Sequence, residues 1–175
     1  EAAFGAEKRL EDIVSHMAPH IESRSESFPQ GKSMIVCATR RICVRLHDML
    51  KEIHPEWYDE RDNEGVMKVI MTGSASDNWQ EHIRNSPRRG QLGDRFRDPD
   101  DDFRIAIVCD MWLTGFDAPS LTTMYIDKPM KGHGLMQALA RVNRAFKDKT
   151  GGLVVDYFGL SARIAEAVNL YTASK

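Results

Sequence analysis

The stretch FRIAIVCD, Phe103–Asp110, decides how the rest of this chain is read. Ile105 to Cys109 carry no polar side chain, so the run does not alternate as a half-exposed strand would. It is too short for a buried helix and is rich in β-branched residues. A strand of this kind is covered on both faces, as in a parallel sheet flanked by helices. Similar runs occur at Met34–Ala38, Val66–Met71, Leu121–Ile126 and Gly152–Tyr157. Between them lie segments of helical period. Residues 4–24 place Leu10, Ile13, Val14, Met17 and Ile21 on one face, with Pro19 expected to end or kink the helix. Arg41–Ile53 places Ile42, Leu46, Met49, Leu50 and Ile53 likewise, and residues 54–64 read as loop. Two short helices are expected near Trp79–Arg84 and Leu92–Phe96, then helices over Gly134–Phe146 and Leu160–Tyr171. Strands alternating with helices predict an open α/β fold with a mainly parallel sheet and helices on both faces. Functional loops of such sheets lie beyond the carboxyl ends of the strands. That singles out Thr39-Arg40, Thr72–Ser74, Asp110–Pro119 and Asp127–Gly134.

The bulk numbers agree with one globular domain. The chain has 175 residues, 42% hydrophobic and 29% charged, with a formal net charge of −2. No global basic character marks a nucleic-acid binder. Cys37, Cys43 and Cys109 form no C-x-x-C pair and are odd in number, which predicts buried reduced thiols in a cytoplasmic protein. No apolar run reaches the ~18 residues of a membrane span. The chain opens on Glu1 within helix-like sequence, as expected of a piece of a longer protein.

Several short patterns fail on context. Gly31-Lys32-Ser33 matches the end of a phosphate-binding P-loop, but Glu26 stands where its first glycine belongs. The match also precedes a strand instead of opening a helix. It reads as a polar turn leading into a buried strand. DPDDDF at Asp98 has Phe103 where a calcium loop needs glycine and Cys109 where it needs glutamate. His16 and His20 have ligand spacing but no further ligand in view, and they read as surface histidines. The Asp-Glu pair in YDER at Tyr58 follows no apolar strand. No metal site is expected.

Two segments carry chemistry. CDMWLTGFDAPSL, Cys109–Leu121, follows a buried strand and gathers Thr114, Gly115, Asp117 and Pro119 into a turn. Glycine there lets backbone approach a ligand, and Asp117 is placed to accept hydrogen bonds. An Asx-type turn that caps the next element would explain the same residues. GLMQALARVNRAFKDK, Gly134–Lys149, puts Gln137, Arg141 and Arg144 at i, i+4 and i+7, so one helix face is expected to carry all three. Leu135, Leu139, Val142 and Phe146 supply the core face. Two guanidiniums on one polar stripe suit a polyanion. A solvated basic face is the alternative, weakened because the first acidic residue in helical reach is Asp148.

On these residues the sequence resembles the second RecA-like, or helicase C-terminal, domain of superfamily 2 translocases. Within that group it resembles the restriction (R) subunit of type I restriction–modification enzymes, over about residues 30–160. IVCATRR is similar to motif IV, and TGSASD to the conserved segment that follows it. DMWLTGFDAPSLTTMYIDKPMKGH is similar to motif V and its extension, and QALARVNR to motif VI, Q-x-x-x-R-x-x-R. Ala140 departs from the glycine many members carry before the arginine.

The resemblance implies a RecA-like fold without its own P-loop. Residues 1–30 would be a helical linker or appendage, 31–160 the motor domain, and 161–175 a helix leading onward. ATP with Mg²⁺ would be held mainly by a first RecA-like domain of the same chain. Arg144 and Arg141 would act as arginine fingers with Gln137 beside them, and Gly115 and Asp117 would approach phosphate and ribose. Thr39, Arg40, Thr72, Gly73 and Thr114 would line the path of double-stranded DNA. The parent would be an ATP-dependent type I deoxyribonuclease working in the cytoplasm with a nuclease domain and with modification and specificity subunits. The fragment alone would be inactive. Another superfamily 2 helicase, of repair or type III restriction, and a non-catalytic DNA or protein docking module are the competing readings.

Overall fold

The structure is a computed structural model that describes residues 6–147, 151–159 and 169. Five strands, β1 (Lys32–Cys37), β2 (Met67–Ile70), β3 (Ile105–Val108), β4 (Leu121–Asp127) and β5 (Leu153–Asp156), form one sheet in the order β2-β3-β1-β4-β5. Every pairing is parallel. The open α/β fold expected from the apolar runs is what forms.

Strand periodicity explains why those runs are continuous. Ile35, Cys37, Val69, Ile107 and Tyr125 point into one core with helices α1 (Glu7–Ser27) and α2 (Arg40–Ile53). Met34, Val36, Ile70, Ala106, Val108, Met124 and Ile126 point into the other. That second core contains Leu92 and Phe96 of α3 (Ser86–Arg97), and Leu135, Ala138 and Val142 of α4 (Gly132–Val142). Both faces are covered, so most strand positions are apolar.

Several local expectations are corrected. Pro19 does not end α1, which runs through to Ser27. Six buried side chains, Leu10, Ile13, Val14, Met17, Ala18 and Ile21, hold the helix across the lost N–H. Within residues 1–30, expected as a helical linker or appendage, α1 shares one core with the sheet. Lys32 and Ser33 are not in a turn but inside β1. Trp79–Arg84 forms turns and an isolated bridge from Ile83 to Met71, not a helix. The next helix starts where Asn85 accepts from the Arg88 N–H at 3.0 Å, with Pro87 in the first turn. Within the expected loop 54–64, Pro55–Trp57 makes a single 3-10 turn that buries Trp57. The expected helix over Leu160–Tyr171 lies outside the described residues. Among the described residues no helix is long and apolar enough to cross a membrane.

Lys32 shows how the fold accommodates charge in the core. Its side chain is 0% exposed. The ammonium donates to the carbonyls of Asp101 at 2.9 Å and Phe103 at 2.6 Å. Burial lowers its pKa to about 8. The DPDDDF segment is consequently more than a solvated turn. Its Asp101 also pairs with Arg95 at 2.8 Å and accepts from the Phe103 N–H.

Candidate functional site

The loop after β1 begins with Thr39, whose hydroxyl accepts from the Ile42 N–H at 3.2 Å and caps α2. Arg40 then reaches across to the loop after β2. Its Nη1 donates to the Thr72 carbonyl at 2.9 Å and to Asp77 Oδ2 at 3.2 Å. Asp77 also accepts from the Ser74 N–H at 2.7 Å, which, with the Arg40 bond, holds its carboxyl below the usual range. Gly73 suits the close packing there, since a Cβ would lie 2.5 Å from Ile83 Cδ1 and force that side chain to shift. Thr39, Arg40, Thr72 and Gly73 are thus gathered at the carboxyl edge of the sheet, as expected.

The segment from Cys109 to Ser120 behaves differently. β3 and β4 are parallel, so this connection leaves the carboxyl edge at Cys109 and must enter β4 at the amino edge. Trp112, Leu113, Phe116 and Ala118 pin it to the core, with the Trp112 and Phe116 rings stacked at 4.2 Å. Thr114, Gly115 and Asp117 are left exposed. Gly115 has φ +70° and nothing within 4 Å of where a Cβ would be, so its backbone is open to approach. Lys128 braces the start of the segment by donating to the Cys109 carbonyl at 2.7 Å and Asp110 Oδ1 at 2.5 Å. Thr114 and Asp117 were expected with the carboxyl-edge loops. Asp117 instead comes just before the Ala118 carbonyl that accepts from the Leu121 N–H at the start of β4.

α4 also runs back toward the amino edge, and it stops at Val142. The i, i+4, i+7 face is therefore not realised, because Arg144 lies past the Asn143 C-cap. Phe146 is half-buried outside the helix. The chain turns away here because Gly152 passes against Val142, where a Cβ would lie 2.0 Å from Cγ1. Freed from the helix, Arg144 Nη2 comes 3.1 Å from Asp117 Oδ2. Arg141 stays on the last turn, and its Nε is buried without a hydrogen-bond partner among the described residues. Gln137 Nε2 instead sits 2.8 Å from His133 Nε2 one turn earlier.

Sequence reading missed the pairing of Arg9 with Asp127. Arg9 Nη1 donates to Asp127 Oδ2 at 3.0 Å and Nη2 binds Oδ1, joining α1 to the end of β4. Asp127 is 0% exposed. The two residues are far apart in the chain, and the only signal was a carboxylate closing an apolar strand. His16 and His20, read as surface histidines, each meet a tyrosine hydroxyl, Tyr157 at 2.6 Å and Tyr125 at 2.7 Å. All three cysteines are buried and free. Burial pushes the Cys109 thiol up to about 11, and a Cys43 hydrogen bond with burial raises Cys37, so both stay protonated.

The all-parallel five-stranded sheet with helices on both faces is a fold shared with solved helicase-type domains. The C-terminal domain of the DEAD-box protein Dbp5 matches with a TM-score of 0.54 at 16% identity, covering 88% of this chain and 78% of that one. A fragment assigned as an HsdR subunit of a type I restriction enzyme from Vibrio vulnificus YJ016 matches with a TM-score of 0.57 at 13% identity, covering 90% and 30%. Residues 47–159 match the family described as type I restriction enzyme subunit R domain 3, and the chain belongs to that family.

Among curated relatives, the type I restriction enzyme HindI endonuclease subunit of Haemophilus influenzae is 47% identical over 179 residues, covering 99% of this chain and 17% of the relative. An endonuclease subunit assigned to the MjaIXP type I restriction enzyme of Methanocaldococcus jannaschii is 39% identical, covering 95% and 16%. The chain thus spans about a sixth of the length of these relatives.

Proposed function

We propose that this chain is the arginine-supplying half of an ATP-driven DNA translocase, the motor of a type I restriction enzyme R subunit. The observation that carries the reading is the pair Arg144–Asp117 beside an Arg141 whose buried Nε has no partner among the described residues. A buried guanidinium nitrogen without an acceptor costs about 1–3 kcal/mol, and a polyanion docked against it would supply one. The open turn at Gly115 fits the same ligand. ATP with Mg²⁺, when bound between this domain and a first RecA-like domain, supplies the phosphoryl group that is transferred.

Arg144 exchanges Asp117 for the γ-phosphate, Arg141 binds beside it, and Asp117 turns to ribose. Gln137 lies beside them from one turn earlier on α4. At the other edge Thr39, Arg40, Thr72 and Gly73 hold the DNA backbone, with Thr114, midway along the crossing segment, lining the same path. Charged contacts at two opposite edges fit a domain that grips nucleotide on one side and DNA on the other. They also fit a net charge of only −2, since the DNA groove is shared. The parent acts in the cytoplasm with modification and specificity subunits, its nuclease lying elsewhere in the chain.

DNA-stimulated ATP hydrolysis by the parent protein, wild type against Arg144→Ala, tests this. Arginine fingers contribute about 10³–10⁵ in rate, so turnover is expected to vanish while DNA binding persists. Turnover within a few-fold of wild type rejects the assignment in favour of a docking module. The isolated chain is expected to hydrolyse no ATP.

A further inference from the structure

Beside the edge strand β2, two buried histidines face each other. His47 of α2 is 3% exposed and His82, from the turn before α3, is 4% exposed. Their rings meet edge to face with centroids 4.7 Å apart. Asp48 Oδ1 lies 3.2 Å from His47 Nδ1. One ligand atom from each of His47, Asp48 and His82 falls within 4.8 Å of the others. His82 Nε2 is buried and has no hydrogen-bond partner among the described residues. A buried imidazole nitrogen without a hydrogen-bond partner is costly unless something accepts its lone pair.

We propose that His47, Asp48 and His82 form a transition-metal site, for Zn²⁺ or a cation of similar preference. Two imidazoles and a carboxylate suit such an ion, and exclude Ca²⁺ and Mg²⁺, which favour oxygen. Tetrahedral zinc at about 2.1 Å from each ligand needs ligand atoms about 3.4 Å apart. The Asp48–His47 separation of 3.2 Å is close to that, and, with all three ligand atoms within 4.8 Å of one another, His82 need approach by no more than about 1.4 Å. His47 and His82 line a cavity of about 390 Å³ together with Tyr58, Lys68 and Glu81, among others.

The nearby cations have partners of their own. Lys68 donates to the Asp59 and Arg61 carbonyls at 2.5 and 2.6 Å, and Lys51 lies over the Tyr58 ring at 3.6 Å. Arg84 and Arg88 both pair with Asp62. Glu81, 3.7 Å from His82 Nε2, adds negative charge. The ion would tie α2 to the segment 72–84, and so fix the loop that carries Thr72 and Gly73.

The test is zinc titration of the chelator-stripped protein against a chromophoric competitor, repeated with Co²⁺ to read its visible spectrum. The expected result is one tightly held ion per chain with a tetrahedral cobalt spectrum and a rise in Tm on adding zinc. His47→Gln and His82→Gln should each abolish that ion. Asp48→Asn, on a half-exposed side chain that leaves the core intact, should weaken it at least about tenfold. His20→Gln is expected to change nothing. Circular dichroism checks that each variant is folded. If wild type binds no zinc tighter than free histidine does, or if binding survives His47→Gln and Asp48→Asn or disappears with His20→Gln, the site is refuted.

Discussion

Arg144 and Asp117 meet at 3.1 Å although one follows α4 and the other precedes β4. Both segments return from the carboxyl edge of the sheet, so the pair forms at the opposite edge from Arg40 and Thr72. Two separate charged regions result.

The pair is exposed, with side chains 55% and 47% accessible. Exposed ion pairs contribute at most about 1 kcal/mol. Arg144→Ala and Asp117→Ala are therefore each expected to change unfolding free energy by less than about 1 kcal/mol in urea titrations. A larger loss would mean that the loss of ATP turnover in the parent reflects unfolding.

Arg9 and Asp127 should behave in the opposite way. Asp127 is wholly buried, and Arg9→Ala would leave its charge without the bidentate partner. The expected destabilisation is about 3–5 kcal/mol. Lys8, whose pairing with Asp12 is solvent-exposed at 2.7 Å, serves as the internal comparison. Lys8→Ala should cost far less than Arg9→Ala. Equal effects of the two substitutions in urea unfolding would contradict the buried-pair account.

Lys32 gives an alkaline pH dependence. Its folded pKa is lowered to about 8 from 10.5, so between those values the unfolded chain holds a proton that the folded chain has lost. Stability then rises with pH through that window. Below pH 8 the charged, desolvated amine is a constant cost. Subtracting the Lys32→Met variant removes the contributions of tyrosine and cysteine, which titrate in the same range. The wild-type-minus-variant difference in unfolding free energy should increase by about 2–3 kcal/mol between pH 8 and 10.5. A flat difference would show that the amine titrates normally.

Gly90 offers a stabilising change. It lies on the exposed side of α3, and a Cβ there would have nothing within 4 Å. Gly90→Ala is expected to raise stability by about 0.5–1 kcal/mol, seen as a higher Tm. Gly73→Ala, where a Cβ would strike Ile83, should lower it.

The sequence by itself determined the strands, because a strand buried on both faces is mostly apolar, as Ile105–Val108 and Met34–Cys37 are. It also determined the parallel sheet and the segments that mark the family. Those are local patterns, carried by neighbouring residues. Which residues meet was decided only by the tertiary structure. Lys32 joined β1 because carbonyls about 70 positions on were there to bind its ammonium. Pro19 stayed inside α1 because a whole apolar face packs on the sheet. Arg144 left the helical stripe because α4 ends where Gly152 returns against Val142, and it then found Asp117 across the crossing segment. Helical period could not foresee this, since it fixes direction only while the helix lasts. Arg9 with Asp127, and His47 with His82, are likewise products of strand order and chain return, which bring together side chains that no local spacing relates.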